Sequence, residues 1–509
     1  MKLSRKITLF KIVCWFFLIL NVEHLAAWYD SNAAGTAPDW HYRVPVNISA
    51  GSPVNSTIKL NVNFNTLMTQ LGISGTFDNN SPRIVRPNET LASTQEYTDR
   101  IYNGVLDPAS NARGEIKFIL QDAGPATYYL YFDVLANGSK PANPRPTING
   151  NFEHSSGTTP TNWSVSNVNA NGAQNDEVHD TSYGSNYNQA GGTPTCSDQL
   201  ISNADNSPNN AGSAATTTGR KWFLSGYRNN CEDGIGNNRE NIRLSRSISV
   251  PASNPGTLTF YFQLQAFDSW DGATRYDYFK LLANNTTVNH SSLGISNPGN
   301  VLRIANGGIG RRNTYSALLI DAGWKKATLN LTPYQGMTIP ITFITDFYTD
   351  NGYRTWVKLD DIEWSIRTAT LGTPEAQPPV ISVQKTSLVV SDGINASDPK
   401  RIPGAIVEYT ITVVNSGFGS TDNNSIVIND AIPADTEFVV NSLQFSNGTP
   451  SSGLTATSAN FSYSIDGISY NTTQSTATRY IRVSPQGSFA AATSAGNPSF
   501  QIKFKIKVN

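Results

Sequence analysis

The chain has 509 residues, 15% of them charged, and its 37 basic side chains almost balance its 38 acidic ones. The charged fraction is well below the average of about 25% for soluble proteins. Because basic and acidic residues balance, nothing suggests the basic surface of a nucleic-acid-binding protein or an attraction to anionic membranes. The 39 glycines, 27 prolines and 10% aromatic residues are typical of turn-rich β structure. The length predicts about three domains.

The first 27 residues have the layout of a secretory signal peptide. Four basic residues precede an apolar run over residues 12–20, and small residues ending at Ala27 offer a cleavage point before Trp28. A retained membrane anchor is the alternative, but the run is about half the roughly 20 residues that a span requires. We therefore predict an exported protein, secreted or held at the cell surface, without a membrane span after cleavage.

Export also determines how the cysteines are interpreted. Cys14 lies in the signal peptide, which leaves Cys196 and Cys231 as the thiols of the exported chain, in a compartment where disulfides persist. We predict that they pair, which would restrict the unfolded chain by about 4 kcal/mol in the loop-entropy model. Two unpaired cysteines are the alternative, and metal binding is disfavoured because there is no Cys-x-x-Cys motif.

Residues 28–145 contain short alternating or β-branched runs, which predict strands with one buried face. The runs cover residues 41–48, 58–64, 115–120 and 127–134. Closely spaced prolines over residues 137–146 end the pattern, because proline fixes φ and donates no ladder hydrogen bond. The segment Trp40-His-Tyr-Arg-Val-Pro-Val-Asn-Ile48 resembles the opening of domains of unknown function in bacterial secreted proteins. We predict a β-sandwich with no assigned chemistry.

Residues 147–368 carry recognisable motifs at both ends. They open with Thr147-Ile-Asn-Gly-Asn-Phe-Glu153 and close with Trp356-Val-Lys-Leu-Asp-Asp-Ile-Glu-Trp364. These ends resemble carbohydrate-binding modules of the jelly-roll type, and residues 324–346 resemble the late strands of MAM-like and immune-inhibitor-A-type jelly rolls. The resemblance implies a jelly-roll β-sandwich. Trp222 and Trp364 lie in strand-like runs, so we expect them in its core.

A polar stretch interrupts this region between residues 167 and 219. It consists almost wholly of Asn, Gly, Ser, Thr, Ala and Asp, so it has too few apolar side chains to build a core of its own. A loop that contacts ligand and a solvated insertion are both compatible with this composition.

The jelly-roll resemblance also implies a structural calcium ion. In many such domains calcium ties the first strand to the last, and here Glu153 with Asp360 or Asp361 would bring carboxylates together at that point. A hard cation relieves the repulsion between such groups. The alternative is that these carboxylates are hydrogen-bonded or solvated at a strand end.

Aromatic residues beside polar, glycine-containing turns form the candidate ligand site. Their rings can stack on the apolar face of a sugar while neighbouring carboxylates accept hydrogen bonds from its hydroxyl groups. The candidate residues are Trp270, Asp268, Asp271, Tyr276, Tyr353 and Trp356. The alternative is that these aromatic side chains pack in the core or in a loop. For Trp270 the sequence favours packing and ligand contact equally, whereas for Tyr276, Tyr353 and Trp356 it favours packing.

A proline-rich stretch at residues 369–379 predicts a semi-rigid linker, and residues 380–509 follow it. The succession of residues 381–387, 398–413 and 428–433 resembles a conserved repeat domain of unknown function in bacterial surface proteins, which implies an immunoglobulin-like β-sandwich used as a spacer or stalk. The final strand over residues 501–508 alternates perfectly. We expect its three outward lysines to protect a sheet edge.

No catalytic signature is complete. None of the five histidines has zinc-site spacing, and GxSxG, P-loop and GxGxxG motifs are missing from the sequence. Glycoside hydrolysis needs only two facing carboxylates, and Asp268, Asp271 and Asp277 would suffice. Acidic residues in β-turns, however, are usually solvated or bind calcium.

The sequence therefore predicts an all-β protein of three β-sandwich domains in series: an N-terminal sandwich, a central jelly roll and a C-terminal immunoglobulin-like sandwich. We expect a non-catalytic binding or adhesion protein, with a glycan or other surface ligand on the jelly roll and calcium as its one cofactor. The bacterial origin rests on the repeat resemblance. A structural spacer without ligand and a polysaccharide-active enzyme are the alternatives.

Overall fold

The computed structural model describes residues 28–29, 40–99, 112–156, 159–168, 174–179, 222–227, 241–266, 277–295, 302–305, 308–311, 320–346, 355–395, 397–493 and 495–509. Over these residues the chain is nearly all β. Six of its sheets pair into three sandwiches, each built around its own hydrophobic core. The predicted all-β fold class is confirmed.

The elements before residue 150 follow the runs expected from the sequence. They are β1 (Tyr42–Ile48), β2 (Thr57–Asn63), α1 (Phe64–Gln70), β3 (Arg83–Val85), β4 (Gln95–Asp99), β5 (Arg113–Ile119) and β6 (Ala126–Phe132). Helix α1 begins where the Asn63 side chain accepts a hydrogen bond from the Thr66 N–H, as N-cap residues do. It buries Phe64, Leu67 and Met68. A 3₁₀ turn at Leu135–Asn137 follows β6.

The described residues of the central region form fourteen strands. They are β7 (Ser155–Ser156), β8 (Thr159–Pro160), β9 (Ser164–Val168), β10 (Gln174–His179), β11 (Trp222–Tyr227), β12 (Asn241–Ser249), β13 (Thr257–Ala266), β14 (Tyr278–Ala283), β15 (Thr286–Thr287), β16 (Leu302–Ala305), β17 (Gly308–Arg311), β18 (Ile320–Asn330), β19 (Thr338–Asp346) and β20 (Thr355–Trp364). Two 3₁₀ turns cover His290–Leu293 and Thr332–Tyr334.

The remaining strands run to the last residues of the chain. They are β21 (Ile366–Arg367), β22 (Ala369–Leu371), β23 (Glu375–Ala376), β24 (Ile381–Ser391), β25 (Ile406–Asn415), β26 (Ile428–Ala431), β27 (Thr436–Phe438), β28 (Gln444–Asn447), β29 (Phe461–Ser464), β30 (Tyr480–Val483) and β31 (Ser499–Val508). A 3₁₀ turn at Ser458–Asn460 precedes β29.

The N-terminal sandwich is completed by residues from far along the chain. Its sheets have the orders β22-β1-β6-β3, with β23 also on β1, and β21-β2-β5-β4. The segment 369–379, expected as a linker, therefore contributes two short strands, with Val46 opposite Leu371. Strand β21 joins β2 in parallel. These additions satisfy backbone groups that would otherwise be unpaired at the sheet edges, so the central sandwich is inserted into the N-terminal one.

The central sandwich packs the sheet β10-β11-β20-β13-β18 against the sheet β16-β17-β14-β19-β12-β9. Its core is rich in phenylalanine, and the Phe260 and Phe343 rings meet edge to face at 4.9 Å. Trp222 and Trp364 are 0% and 3% exposed, in agreement with the expectation that both lie in the core. A bulge interrupts the pairing of β20 with β13 next to Asp360.

The C-terminal sandwich packs the sheet β24-β25-β31-β27 against the sheet β26-β30-β29. Alternate residues of β31 fill the core: Phe500, Ile502, Phe504 and Ile506. The expectation that the lysines of this strand protect an edge is wrong, because β31 pairs with β25 on one side and with β27 and β28 on the other. The long edge strand of this sheet is β24.

No helix in the described part of the chain is long and apolar enough to cross a membrane.

Candidate functional site

Most of the predicted ligand residues fall outside the described residues. These are Asp268, Trp270, Asp271, Tyr276 and Tyr353, and the same holds for the predicted disulfide partners Cys196 and Cys231. The sixth ligand candidate, Trp356, is the second residue of β20, where it lies opposite Gly226 and Gln265 on the neighbouring strands.

The described strands bring the ends of the two segments that carry these residues together. Strand β13 stops at Ala266, which is opposite both Ile320, the first residue of β18, and Thr355, the first residue of β20. Strand β14 starts at Tyr278, which is opposite Asp346, the last residue of β19. Segments 267–276 and 347–354 therefore both leave from one end of the central sandwich, which we call the loop end.

A row of polar side chains crosses three strands at the loop end. Asn241, Asp346 and Tyr278 are register neighbours on β12, β19 and β14. The Asp346 carboxylate accepts hydrogen bonds of 2.8 Å from both the Asn241 amide and the Tyr278 hydroxyl, and the Lys280 ammonium lies 3.8 Å away. We call Asn241, Asp346, Tyr278 and Lys280 the Asp346 row.

Side-chain alternation directs the Asp346 row away from the sandwich core. The next register position holds Ile242 and Phe279, which are buried, and Phe279 packs in the core, so the row lies on the opposite face of the sheet. Asn241, Asp346 and Tyr278 are nevertheless buried, with 8%, 6% and 8% of their surfaces exposed. Burial of a carboxylate is tolerated here because two donors and a cation surround it.

The ring of Tyr278 is part of the same arrangement. The Lys280 ammonium lies 5.0 Å from its centroid, within the range of a cation–π contact. A Cβ at Gly308 would lie 3.0 Å from the Cβ, Cγ and Cδ2 atoms of Tyr278. Glycine at position 308 therefore lets β17 lie against the ring. The row combines an aromatic ring with amide, hydroxyl, carboxylate and ammonium groups, which suit a polyhydroxylated ligand.

Sequence reasoning did not identify the Asp346 row. In the sequence, Asp346 is only the last residue of the stretch 324–346, and Asn241, Tyr278 and Lys280 belong to no motif. The signal in the sequence is weak, because each is one polar or amphipathic residue at or near the end of a different strand. Register across three strands, which no single run reveals, brings them together.

The predicted calcium ligands lie near the junction of the first two sandwiches. The opening segment does meet the last strand, since the Ile362 N–H donates to the Gly150 carbonyl at 2.8 Å. The Asp360 carboxylate accepts a 2.7 Å hydrogen bond from the Asp361 N–H, and Asp361 has a left-handed φ of 48°. Across the described ranges, no three His, Cys, Asp or Glu side chains are grouped to hold a metal ion, so these three carboxylates do not form such a group.

Glu153 lies instead at a polar cleft beside the junction. The cleft has a volume of about 500 Å³ and is lined by Asn143, Pro144, Arg145, Pro146, Thr147, Glu153, His154, Thr161 and Asn162. His154 Nε2 lies 3.9 Å from the buried carboxylate of Glu96 on β4. We call this the junction cleft.

Behind the junction, two lysines and two glutamates form a buried ion network. Lys117 Nζ lies 2.8 Å from Glu115 and 3.1 Å from Glu363, and Lys59 Nζ lies 2.6 Å from Glu363 and 3.3 Å from Glu115. Glu115 and Lys117 are on β5, whereas Glu363 is on β20, so the network joins the N-terminal and central sandwiches. The side chains of Glu115 and Lys117 are both 2% exposed.

The network favours the charged forms of Lys117 and Glu363. Burial would lower the pKa of Lys117, but Glu115, Glu363, Glu96 and Asp361 together raise it. Burial would raise the pKa of Glu363, but Lys117 and Lys59 lower it below its ordinary value. Each charge in this buried volume is therefore compensated by an opposite one, as burial requires.

No family model matches the chain, and no curated protein matches it at a significant level in sequence. The C-terminal domain of the AgI/II polypeptide BspA from Streptococcus agalactiae is similar at 10% identity over 55% of this chain and 86% of that one, with a TM-score of 0.14. The triple jelly roll of an archaeal virus turret matches at 10% identity over 92% and 79% of the two chains, also at 0.14. A protein of the Sulfolobus turreted icosahedral virus is similar at 9% identity over 92% of this chain and 80% of that one, with a TM-score of 0.13. TM-scores this low assign neither a family nor a function.

Proposed function

We propose that this protein is a non-catalytic binding protein, secreted or held at a bacterial cell surface, whose central sandwich binds a glycan. The observation that carries the proposal is the Asp346 row, which fixes an aromatic ring and several hydrogen-bonding groups beside the loop end. Five of the six predicted ligand residues belong to segments 267–276 and 347–354, which connect strand ends of the loop end, and the sixth, Trp356, is the second residue of β20. The flanking sandwiches would present the central one to its ligand.

The hydrogen bonds of the row support a binding role because they hold its groups in place before any ligand arrives. Tyr278 and Asn241 both donate to the Asp346 carboxylate, so their orientations are set by the protein. Preorganised groups lose less conformational entropy on binding than mobile ones. The fixed amide, hydroxyl, carboxylate and ammonium groups of the row are suited to the hydroxyl groups of a sugar.

A calcium ion at the junction is a separate part of the proposal, and because the three carboxylates do not converge there, backbone carbonyl and water oxygens would have to supply part of its coordination. Glu153 and Asp360 lie on the opening segment and on the last strand of the central sandwich, and the hydrogen bond between Ile362 and Gly150 joins these two segments. Treatment with EDTA is expected to lower the melting temperature, and added calcium to restore it. A melting temperature that does not respond to EDTA would contradict this part without affecting the glycan proposal.

A glycan-array screen tests the binding role. It requires the chain from residue 28 to residue 509, because β21, β22 and β23 interlock the central and N-terminal sandwiches. We expect retention by one glycan class, weakened at least about tenfold by Tyr278→Phe, which removes the hydroxyl donor and keeps the ring. Trp270→Ala is expected to weaken it as well.

Two controls distinguish loss of the binding site from binding elsewhere and from loss of the fold. Arg145→Ala alters the junction cleft and is expected to leave retention unchanged, so loss in this variant alone would move the site to the cleft. Circular dichroism confirms that each variant is folded. If the folded protein is retained by no glycan, the spacer interpretation replaces ours, and release of shorter sugars from a retained polysaccharide would establish an enzyme.

A further inference from the structure

The side chains of β24, the edge strand of the C-terminal sandwich, are exposed along nearly its whole length. It pairs only with β25 among the described strands, and each of its residues except Val389 is exposed. Its exposed apolar side chains include Val383, at 58%, and Leu388, at 67%. An exposed, long and apolar edge strand is a template for a further strand, because its outer backbone N–H and C=O groups are unpaired.

Another edge strand of the same length in this protein is blocked. Strand β18 also has 11 residues at the edge of its sheet, but its pairing with β13 is irregular near Gly323, which has a φ of 63°. It also carries Lys325 and Lys326. Bulges and lysines are common devices against edge-to-edge pairing.

The other edges of the described sheets are shorter or covered. Strand β4 is an edge, but residues of the following segment cap it, with the Gln95 N–H donating to the Pro146 carbonyl at 3.1 Å. Strands β26 and β29 have four residues each. Among the described strands, β24 is therefore the long edge without a blocking device.

The one charged residue of β24 does not protect it. Lys385 is drawn onto its own sandwich, where its ammonium lies 2.6 Å from the Asp430 carboxylate and 4.6 Å from the centroid of the Tyr409 ring. The pairing of β24 with β25 is regular up to Val389. The strand thus offers a regular edge over residues 381–389, whose single charge is paired within its own sandwich.

We propose that β24 pairs antiparallel with β24 of a second copy of this chain, about a two-fold axis at Thr386. In this register Val383 of one copy lies opposite Val389 of the other, and Gln384 lies opposite Leu388. Thr386 faces its own symmetry mate, and threonine pairs are favourable across strands. An axis at Lys385 would instead place two ammonium groups opposite each other, which destabilises a strand pair.

The pattern selects a second copy because it is complementary to itself. A two-fold interface uses the same surface on both chains. The register at Thr386 places no like charges directly opposite each other and matches valine with valine, and the two diagonal Lys385 ammonium groups are each paired with Asp430 of their own chain. A single strand pair lies at the low end of specific interface sizes, so we expect association in the micromolar range.

A charge-swap experiment tests the register. Sedimentation equilibrium of the chain from residue 28 to residue 509, from about 1 μM to about 200 μM, is expected to show reversible dimers. Thr386→Lys and Thr386→Glu each place like charges at the axis, so each is expected to raise the dissociation constant at least about tenfold. Mixing the two variants in equal amounts is expected to restore dimers.

Thr472→Lys is the matched control, since Thr472 is an exposed threonine of the same sandwich outside β24. It is expected to dimerise like the unaltered chain. A monomer at every concentration would overturn the proposal, whatever other partner the edge binds. Dimers that tolerate Thr386→Lys would also overturn it, as would a mixture of the two charged variants that stays monomeric.

Discussion

Replacing Lys117 by methionine tests whether the buried ion network ties the first two sandwiches together. Lys117 has contacts of 2.8 Å to Glu115 on its own strand and 3.1 Å to Glu363 on β20. Without its ammonium group, Lys59 alone faces two buried carboxylates. Removing one partner of a buried ion pair costs about 3–5 kcal/mol, and we expect Lys117→Met to lower the free energy of unfolding by this amount.

A double variant separates the charge effect from the loss of packing. Lys117→Met combined with Glu115→Met removes one positive and one negative group and leaves Lys59 and Glu363 paired at 2.6 Å. Replacing both partners by apolar side chains is often neutral. The double variant is therefore expected within about 1–2 kcal/mol of the unaltered protein, and more stable than Lys117→Met alone.

Urea unfolding followed by tryptophan fluorescence is the suitable assay. Residues 380–509 contain no tryptophan, so the signal reports on the N-terminal and central sandwiches and is silent on the C-terminal one. Arg145→Met is the control, because Arg145 is an exposed cationic residue between the N-terminal and central sandwiches, on which the signal reports. Substitutions at such exposed positions change stability little, and a change within about 0.5 kcal/mol is expected.

Two results would refute this reasoning. A Lys117→Met variant as stable as Arg145→Met would mean that the network contributes nothing to the union of the sandwiches. A double variant that loses at least as much stability as the single one would mean that packing of the lysine chain, rather than charge balance, determines the effect.

Three further outcomes are expected. Burial raises the pKa of Glu363, but the ammonium groups of Lys117 and Lys59 outweigh this effect and lower the pKa below 4.5. The ionised Glu363 therefore stabilises the fold above pH 4.5, and this stabilisation is lost as the pH falls through the lower pKa of the folded state. The urea midpoint should fall in acid, and it should fall less in Glu363→Gln. Gly150→Ala places a Cβ 1.9 Å from the Ile362 carbonyl oxygen, so a loss of about 1–3 kcal/mol is expected in urea unfolding, and an unchanged midpoint would contradict the close approach. Thiol titration of the denatured exported chain should find Cys196 and Cys231 unreactive until a reductant is added, whereas two titratable thiols would exclude the predicted disulfide.

The sequence alone determined the β character and most of the strands of the N-terminal and C-terminal sandwiches. Residues i and i+2 of a strand share a face whatever the strand pairs with, so alternation is a local property. The run at residues 501–508 shows this, since its alternate apolar residues, among them Ile502 and Phe504, are the buried ones.

The same local rule failed where a second surface covers the outer face. In β5, Ile116 and Phe118 face the core, and alternation directs Glu115 and Lys117 outwards, where solvent would be expected. The structure buries both, because Glu363 of the central sandwich approaches this face. No pattern within β5 encodes that approach, which depends on a contact between residues far apart in the sequence.

Strand order was likewise decided only in three dimensions. Residues 369–376 read as part of a spacer, yet they pair with β1 because the chain returns there after the central sandwich. The lysines of β31 seemed suited to an edge, but long-range pairing placed that strand inside its sheet and left β24 outside. Alternation specifies which face a side chain occupies, whereas the neighbours of a strand depend on which distant segments the folded chain brings together.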